Sequence, residues 1–155
     1  MAAYVAVVGG SEPSREEAEA AEGVGRALAE RAAVLLCGGR GGVMEAACRG
    51  AKAGGGVTVG ILPGLDRAEA NPYVDVAIAT GLGEARNALV VRAADVLIAV
   101  GGSWGTLSEI ALALRAGKRV IGIGTWELTR GGEPVDGIEP AADAGSAVEL
   151  ALGGV

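Results

Sequence analysis

YVAVVGGSEPSREEAEAAEGVGRALAERAAVLLCGG, residues 4–39, carries the pattern that decides the fold. Two short β-branched runs, 4–8 and 34–37, each end in a glycine pair and bracket one helical segment. Ser14-Arg15-Glu16-Glu17 has the form of a capping box, in which the serine takes the amide of the glutamate and the glutamate side chain returns to the serine amide. Behind it Ala18, Ala21, Val24, Gly25, Leu28 and Ala32 recur at helical spacing. A strand, a crossover helix and a second strand form a parallel βαβ unit.

The same alternation continues outward. Runs 57–62, 74–79, 96–100 and 120–123 read as further strands. Met44, Ala47, Cys48 and Ala51 mark a second helix, residues 84–93 a third, and Leu107, Ile110, Ala111 and Leu114 a fourth that stops at Gly117. Residues 125–144 lose the period and contain Gly131-Gly132 and two prolines, so a surface excursion with a short edge strand is expected there. Ser146-Ala147-Val148-Glu149 offers a second capping box for a terminal helix. The expectation is α/β: one domain over 1–155, a doubly wound, Rossmann-like parallel sheet of six to seven strands with helices on both faces.

Composition agrees. At 155 residues the chain suits one core, burying roughly 70% of the unfolded surface. Half of it is hydrophobic but only 3% aromatic, with no Phe, so Ala, Val, Leu and Ile must build the interior. A net charge of −6 speaks against a surface that follows a nucleic-acid backbone or an anionic membrane. No leader pattern and no apolar run of about 18 residues is present, which makes a soluble, cytoplasmic protein the expectation. His is absent and only Cys37 and Cys48 occur, which excludes the usual zinc sites, Ser-His-Asp triads and Cys-His pairs. No metal site is expected, and both cysteines read as small buried apolar residues.

In a parallel sheet all strands end at one edge, and ligands collect there where the strand order reverses. Glycine stands at nearly every exit: Gly9-Gly10-Ser11, Gly38-Gly39-Arg40-Gly41-Gly42, Pro63-Gly64, Gly81-Leu82-Gly83 and Gly101-Gly102-Ser103-Trp104-Gly105-Thr106. Such turns let backbone approach a ligand, and the helix that follows offers free amides to an anion, so a phosphate is the natural guest. Neither Gly-x-Gly-x-x-Gly with its acidic ribose ligand nor a P-loop occurs. Arg86, a cation in a helix's first turn, opposes the dipole and is either a phosphate or carboxylate clamp or a solvated surface arginine. Glu109 is a cap in Thr106-Leu107-Ser108-Glu109, a ligand contact, or both. Arg40 faces a phosphate or water; Trp104 packs its loop, forms a lid or stacks on a planar ring. Trp126 and Asp95 read as structural.

Residues 37–51 (CGGRGGVMEAACRGA) and 83–114 (GEARNALVVRAADVLIAVGGSWGTLSEIALAL) resemble the Rossmann-like family that includes the LONELY GUY cytokinin-activating phosphoribohydrolases and the molybdenum cofactor carrier proteins. Its members are often labelled "possible lysine decarboxylase". The resemblance runs over nearly the whole chain. ILPG at 61–64, ANPYV at 70–74, GEARN at 83–87 and TLSEIALAL at 106–114 fit the carrier-like branch best. The hydrolase motif, Pro-Gly-Gly-x-Gly-Thr-x-x-Glu with an arginine upstream, falls on Arg86 and Glu109 as catalytic positions and is matched at Gly102, Gly105 and Thr106. Gly101 replaces its proline and Ser103 a glycine.

The resemblance implies strand order 3-2-1-4-5-6 and a homodimer or homotetramer. Together with the glycine loops it gives a ligand-binding set of Gly9, Gly10, Ser11, Gly38, Gly39, Arg40, Gly41, Gly42, Met44, Pro63, Gly83, Asn87, Gly101, Gly102, Ser103, Trp104, Gly105 and Thr106. Two functions lead, beside a ligand-sensing or purely structural oligomer. One is a binding protein for a small phosphorylated ligand, whether nucleoside monophosphate, phosphate or molybdenum cofactor, with no cofactor required. The other is a phosphoribohydrolase that cleaves a cytokinin-type nucleoside 5′-monophosphate to free base and ribose 5-phosphate. Decarboxylation is unsupported, because Lys52 and Lys118 lie away from the glycine loops.

Overall fold

The computed structural model describes residues 1–154. β1 (Tyr4–Gly9), β2 (Val34–Cys37), β3 (Val57–Leu62), β4 (Val76–Ala79), β5 (Val96–Val100), β6 (Arg119–Ile123) and β9 (Ile138–Pro140) form one sheet in the order β4-β3-β2-β1-β5-β6-β9. Every neighbouring pair in it is parallel. With β4 set aside as an added edge, the remaining six run 3-2-1-4-5-6, the order the resemblance implies. β7 (Thr129–Arg130) and β8 (Glu133–Pro134) make a separate antiparallel hairpin across Gly131 and Gly132, both at positive φ. The excursion 125–144 is therefore this hairpin followed by the edge strand β9, which a bidentate Arg119–Glu139 pair at 2.9 Å ties to β6.

Strand side chains divide strictly between two layers because successive residues point to opposite faces. Val5, Val7, Val96, Ile98 and Val100 pack under α1 (Arg15–Glu30), α2 (Val43–Ala53) and α5 (Ala144–Leu152). Ala6, Val8, Leu97 and Ala99 pack under α3 (Arg86–Ala93) and α4 (Trp104–Arg115). All nine are buried on both faces of central strands, which explains their unbroken apolar runs. Asp95 accepts the Tyr4 amide at 2.8 Å and so fixes the start of β1 against β5.

The structure corrects three local expectations. α1 ends at Glu30 rather than at Ala32, whose φ of +53° closes the turn into β2. β4 begins at Val76, not at 74, because Asp75 turns inward to accept the Thr58 amide and the Lys52 ammonium. Both later capping boxes start one turn earlier than read: α4 is capped at Ser103, whose amide donates to Thr106 Oγ1, and α5 at Asp143, which pairs reciprocally with Ser146.

Candidate functional site

Strand order reverses between β1 and β5, whose neighbours β2 and β6 lie on opposite sides. At the carboxyl ends of these strands a cleft of about 430 Å³ opens. Gly9 and Ser11 after β1, Gly38 and Met44 around the second loop, Pro63, Gly83, Arg86 and Asn87, and Ser103, Gly105, Thr106 and Glu109 border it, with Val8 and Glu84. Of the cleft glycines, Gly9 is pressed against backbone and Gly38 against a side-chain tip, while Gly83 and Gly105 have room for a Cβ. A Cβ at Gly9 would sit 2.6 Å from the Val100 carbonyl oxygen, and one at Gly38 2.6 Å from an Arg86 guanidinium nitrogen.

The other glycine-loop residues lie elsewhere. Gly42 (φ +71°) presses its backbone against Gly10, and Gly39 (φ +76°) against Leu62, so both shape the loop rather than the cleft wall. Gly41 faces open space. Arg40 pairs with Glu69 at 3.2 Å and keeps about half of its side chain exposed, outside the cleft lining. Trp104 begins α4 and rests on Trp126, ring centroids 5.2 Å apart, outside the cleft. Gly101 (φ +56°) and Gly102 (φ +129°) turn the chain from β5 into α4. A proline, fixed near φ −65°, cannot occupy position 101 in this backbone, so the glycine standing in place of the hydrolase motif's proline goes with a different turn.

Arg86 opens α3, entered through a 3-10 turn at Gly83–Ala85. Its Nη1 donates to Asn87 Oδ1 and its Nη2 to the Gly38 carbonyl at 3.5 Å. Its Nε is buried with no partner among the described residues. Burial lowers the guanidinium's hold on its proton, while Glu109 opposite raises it. Glu109 itself lies in the second turn of α4, too far along to cap it. Desolvation lifts its carboxyl to about 7, against the pull of Arg86. Among the described residues the two do not close to an ion pair, though both border the cleft.

A carboxyl whose folded value stands near 7 and whose unfolded value is 4.5 favours the native state most below pH 4.5 and loses that advantage as pH rises through 7. Allowing for partial solvent contact, the parent is expected to lose on the order of 2 kcal/mol between pH 5 and 8 from this group. Urea unfolding across that range should show the loss in the parent, and Glu109→Gln should remove it. Equal pH profiles would mean that Glu109 is solvated.

Lys52 is engaged with Asp75 and the Gly56 carbonyl, and Lys118 with the Arg92 and Ala94 carbonyls, none of them cleft residues. Cys37 and Cys48 are buried side by side, sulfurs 3.5 Å apart. No helix among the described residues is long and apolar enough to cross a membrane.

Sheet order, switch-point cleft and glycine-bounded helix entries together define a Rossmann-like α/β domain with a cleft at its topological switch point. The chain belongs to the SLOG cluster4 family, whose model matches residues 2–146. It is 48% identical over 116 residues, 75% of this chain and 76% of the relative, to an uncharacterized protein of Archaeoglobus fulgidus. Among solved structures, the molybdenum cofactor binding protein of the phototrophic bacterium Rippkaea orientalis superposes with a TM-score of 0.87 at 36% identity, over 97% of this chain and 95% of that one. The molybdenum cofactor carrier protein of Chlamydomonas reinhardtii gives 0.86 at 35% identity over the whole of both chains.

Proposed function

We propose that this protein binds and carries a small phosphorylated ligand, a pterin such as the molybdenum cofactor or a nucleoside 5′-monophosphate, without breaking it. The observation that carries the reading is the half-buried Arg86 guanidinium, its Nε unpartnered, in a cleft that also receives the start of α4. Amides of a helix's first turn have no partner inside the helix, and its dipole favours an anion there. A phosphate at Ser103, Gly105 and Thr106 would meet both charges. The molybdenum cofactor binding and carrier proteins named above support the pterin choice by likeness over the full chain.

The second reading, phosphoribohydrolase action, is favoured by Glu109 alone. A carboxyl raised to about 7 across from a guanidinium could stabilise oxocarbenium charge at a ribose while Arg86 holds the phosphate or assists the leaving base. Thermal unfolding with molybdopterin compounds, adenosine 5′-monophosphate and its isopentenyl analogue, beside chromatography for free base, separates the two. A carrier is stabilised by about 2.7 kcal/mol at a hundredfold excess over Kd, a rise of roughly 5–10 °C, and releases no base. Base release that vanishes in Glu109→Gln would make it a hydrolase. No stabilisation by any phosphorylated compound would remove the carrier reading.

We further propose a homo-oligomer built on the outer faces of α3 and α4, where Leu89, Trp104 and Leu112 stay exposed to solvent. Light scattering should return the mass of two or four chains, and the mass of one would dismiss it.

A further inference from the structure

Beyond the cleft, across the loop that leads into α4, the carboxyl edge carries a trough that the phosphate-binding reading does not use. It consists of two adjoining cavities of about 480 and 320 Å³ that share residues 124–127. One loop separates it from the cleft: Gly101 and Gly102 border the trough, Ser103 and Gly105 the cleft. Trp126, held by a hydrogen bond from its Nε1 to the Ser103 carbonyl at 3.2 Å, lines both parts, and Val135 and Ile138 extend the apolar wall. On the α1 side stands Glu17.

Glu17 is the residue whose placement is unexpected. At the third position of α1 its amide is capped by Ser14 Oγ at 3.1 Å, but its carboxylate does not return to the Ser14 amide. It lies against Gly101 instead, where a Cβ would fall 2.3 Å from Oε2 and 3.0 Å from Oε1. Among the described residues nothing donates a hydrogen bond to either oxygen, although the side chain is half-buried. Its oxygens are open to the trough, where water serves them, and a ligand edge with two adjacent donors would replace that water at both oxygens at once.

We infer that the trough seats the ligand's planar heterocycle, and that Glu17 selects rings presenting adjacent N–H and NH₂ donors, the 2-amino-4-oxopyrimidine edge shared by guanine and pterins. This rests on the proposed binding function, with the phosphate at the start of α4. The ring faces meet Trp126 and the apolar wall, while the donor edge meets the carboxylate. Adenine is disfavoured, because its N1 is an acceptor and would face carboxylate oxygen. Hypoxanthine keeps the N–H and lacks the amino group.

Calorimetric titration with ribose 5-phosphate, guanosine, inosine and adenosine 5′-monophosphates tests this on the parent and on Glu17→Gln. The Ser14 cap uses the backbone amide of residue 17, so the substitution leaves the helix start intact. Guanosine monophosphate should bind about tenfold or more tighter than adenosine monophosphate, with inosine monophosphate between, as hydrogen bonds to a charged group predict. In Glu17→Gln the guanosine preference should fall to within about threefold, with ribose 5-phosphate binding unchanged. Ribose 5-phosphate binding with no guanosine preference in the parent would overturn the ring assignment and leave the carrier reading standing. A preference that survives in Glu17→Gln would overturn the role of Glu17. Failure of every compound to bind would overturn both.

Discussion

Gly50→Ala is expected to destabilise the protein by about 3 kcal/mol, although alanine is the better helix former by about 1 kcal/mol. The reason is the crossing of α1 and α2. A Cβ at Gly50 would stand 1.9 Å from the Glu22 carbonyl oxygen, and one at Gly25 would stand 1.9 Å from the Ala47 carbonyl oxygen. Each helix thus rests a glycine on the other's backbone. Backbone cannot swing aside as a side-chain tip can, so the helices must part by more than an ångström's width of contact, loosening Val24, Leu28, Ala47 and Ala51 together. Gly41→Ala is the control: nothing lies within 4 Å of its Cβ, and a change within about 0.5 kcal/mol is expected. Urea midpoints decide it. A stabilised Gly50→Ala would mean that propensity outweighs packing and that the crossing is wider than the structure has it.

That crossing also marks the limit of reading a sequence. Gly25 fits the apolar stripe of α1 by spacing alone, but nothing along the chain says that it touches another helix's carbonyl. Central strands are legible because burial on both faces leaves unbroken apolar runs, as in 96–100. The starts of α4 and α5 lie one turn ahead of the pattern the sequence displays, for a single reason. Ser103 with Thr106, and Asp143 with Ser146, cap reciprocally through short side chains, while the more familiar Ser/Thr-x-x-Glu pattern begins at the second member of each pair. Glu17 was legible as a box member but not as a carboxylate diverted to Gly101, since only the β5 turn supplies that neighbour. Arg86 and Glu109 stand out for opposite reasons. The arginine opposes its helix dipole, a conflict visible locally, whereas the raised carboxyl of Glu109 arises from burial that only the assembled cleft creates.

Arg86→Ala is expected to weaken binding of ribose 5-phosphate and nucleoside 5′-monophosphates roughly a hundredfold, about the worth of a desolvated charge-assisted contact. The same substitution should leave the ligand-free protein as stable as the parent or slightly more so. The guanidinium is half-buried, its Nε has no partner, and its other contacts are a neighbouring amide and a long bond to the Gly38 carbonyl, so burying it brings little in return. Affinity lost with stability kept is the signature of a residue held for its ligand, whereas a structural arginine would lose both. Arg86→Lys sharpens the distinction. Lysine retains the charge but not the fork, so it can hold the Asn87 side chain or the ligand but not both in the plane that the guanidinium fixes. It should recover only part of the loss, and added salt should weaken the parent's binding more than that of Arg86→Ala. Unchanged affinity in Arg86→Ala would move the phosphate away from the cleft altogether, and with it the claim that an anion compensates a cation placed at the wrong end of a helix.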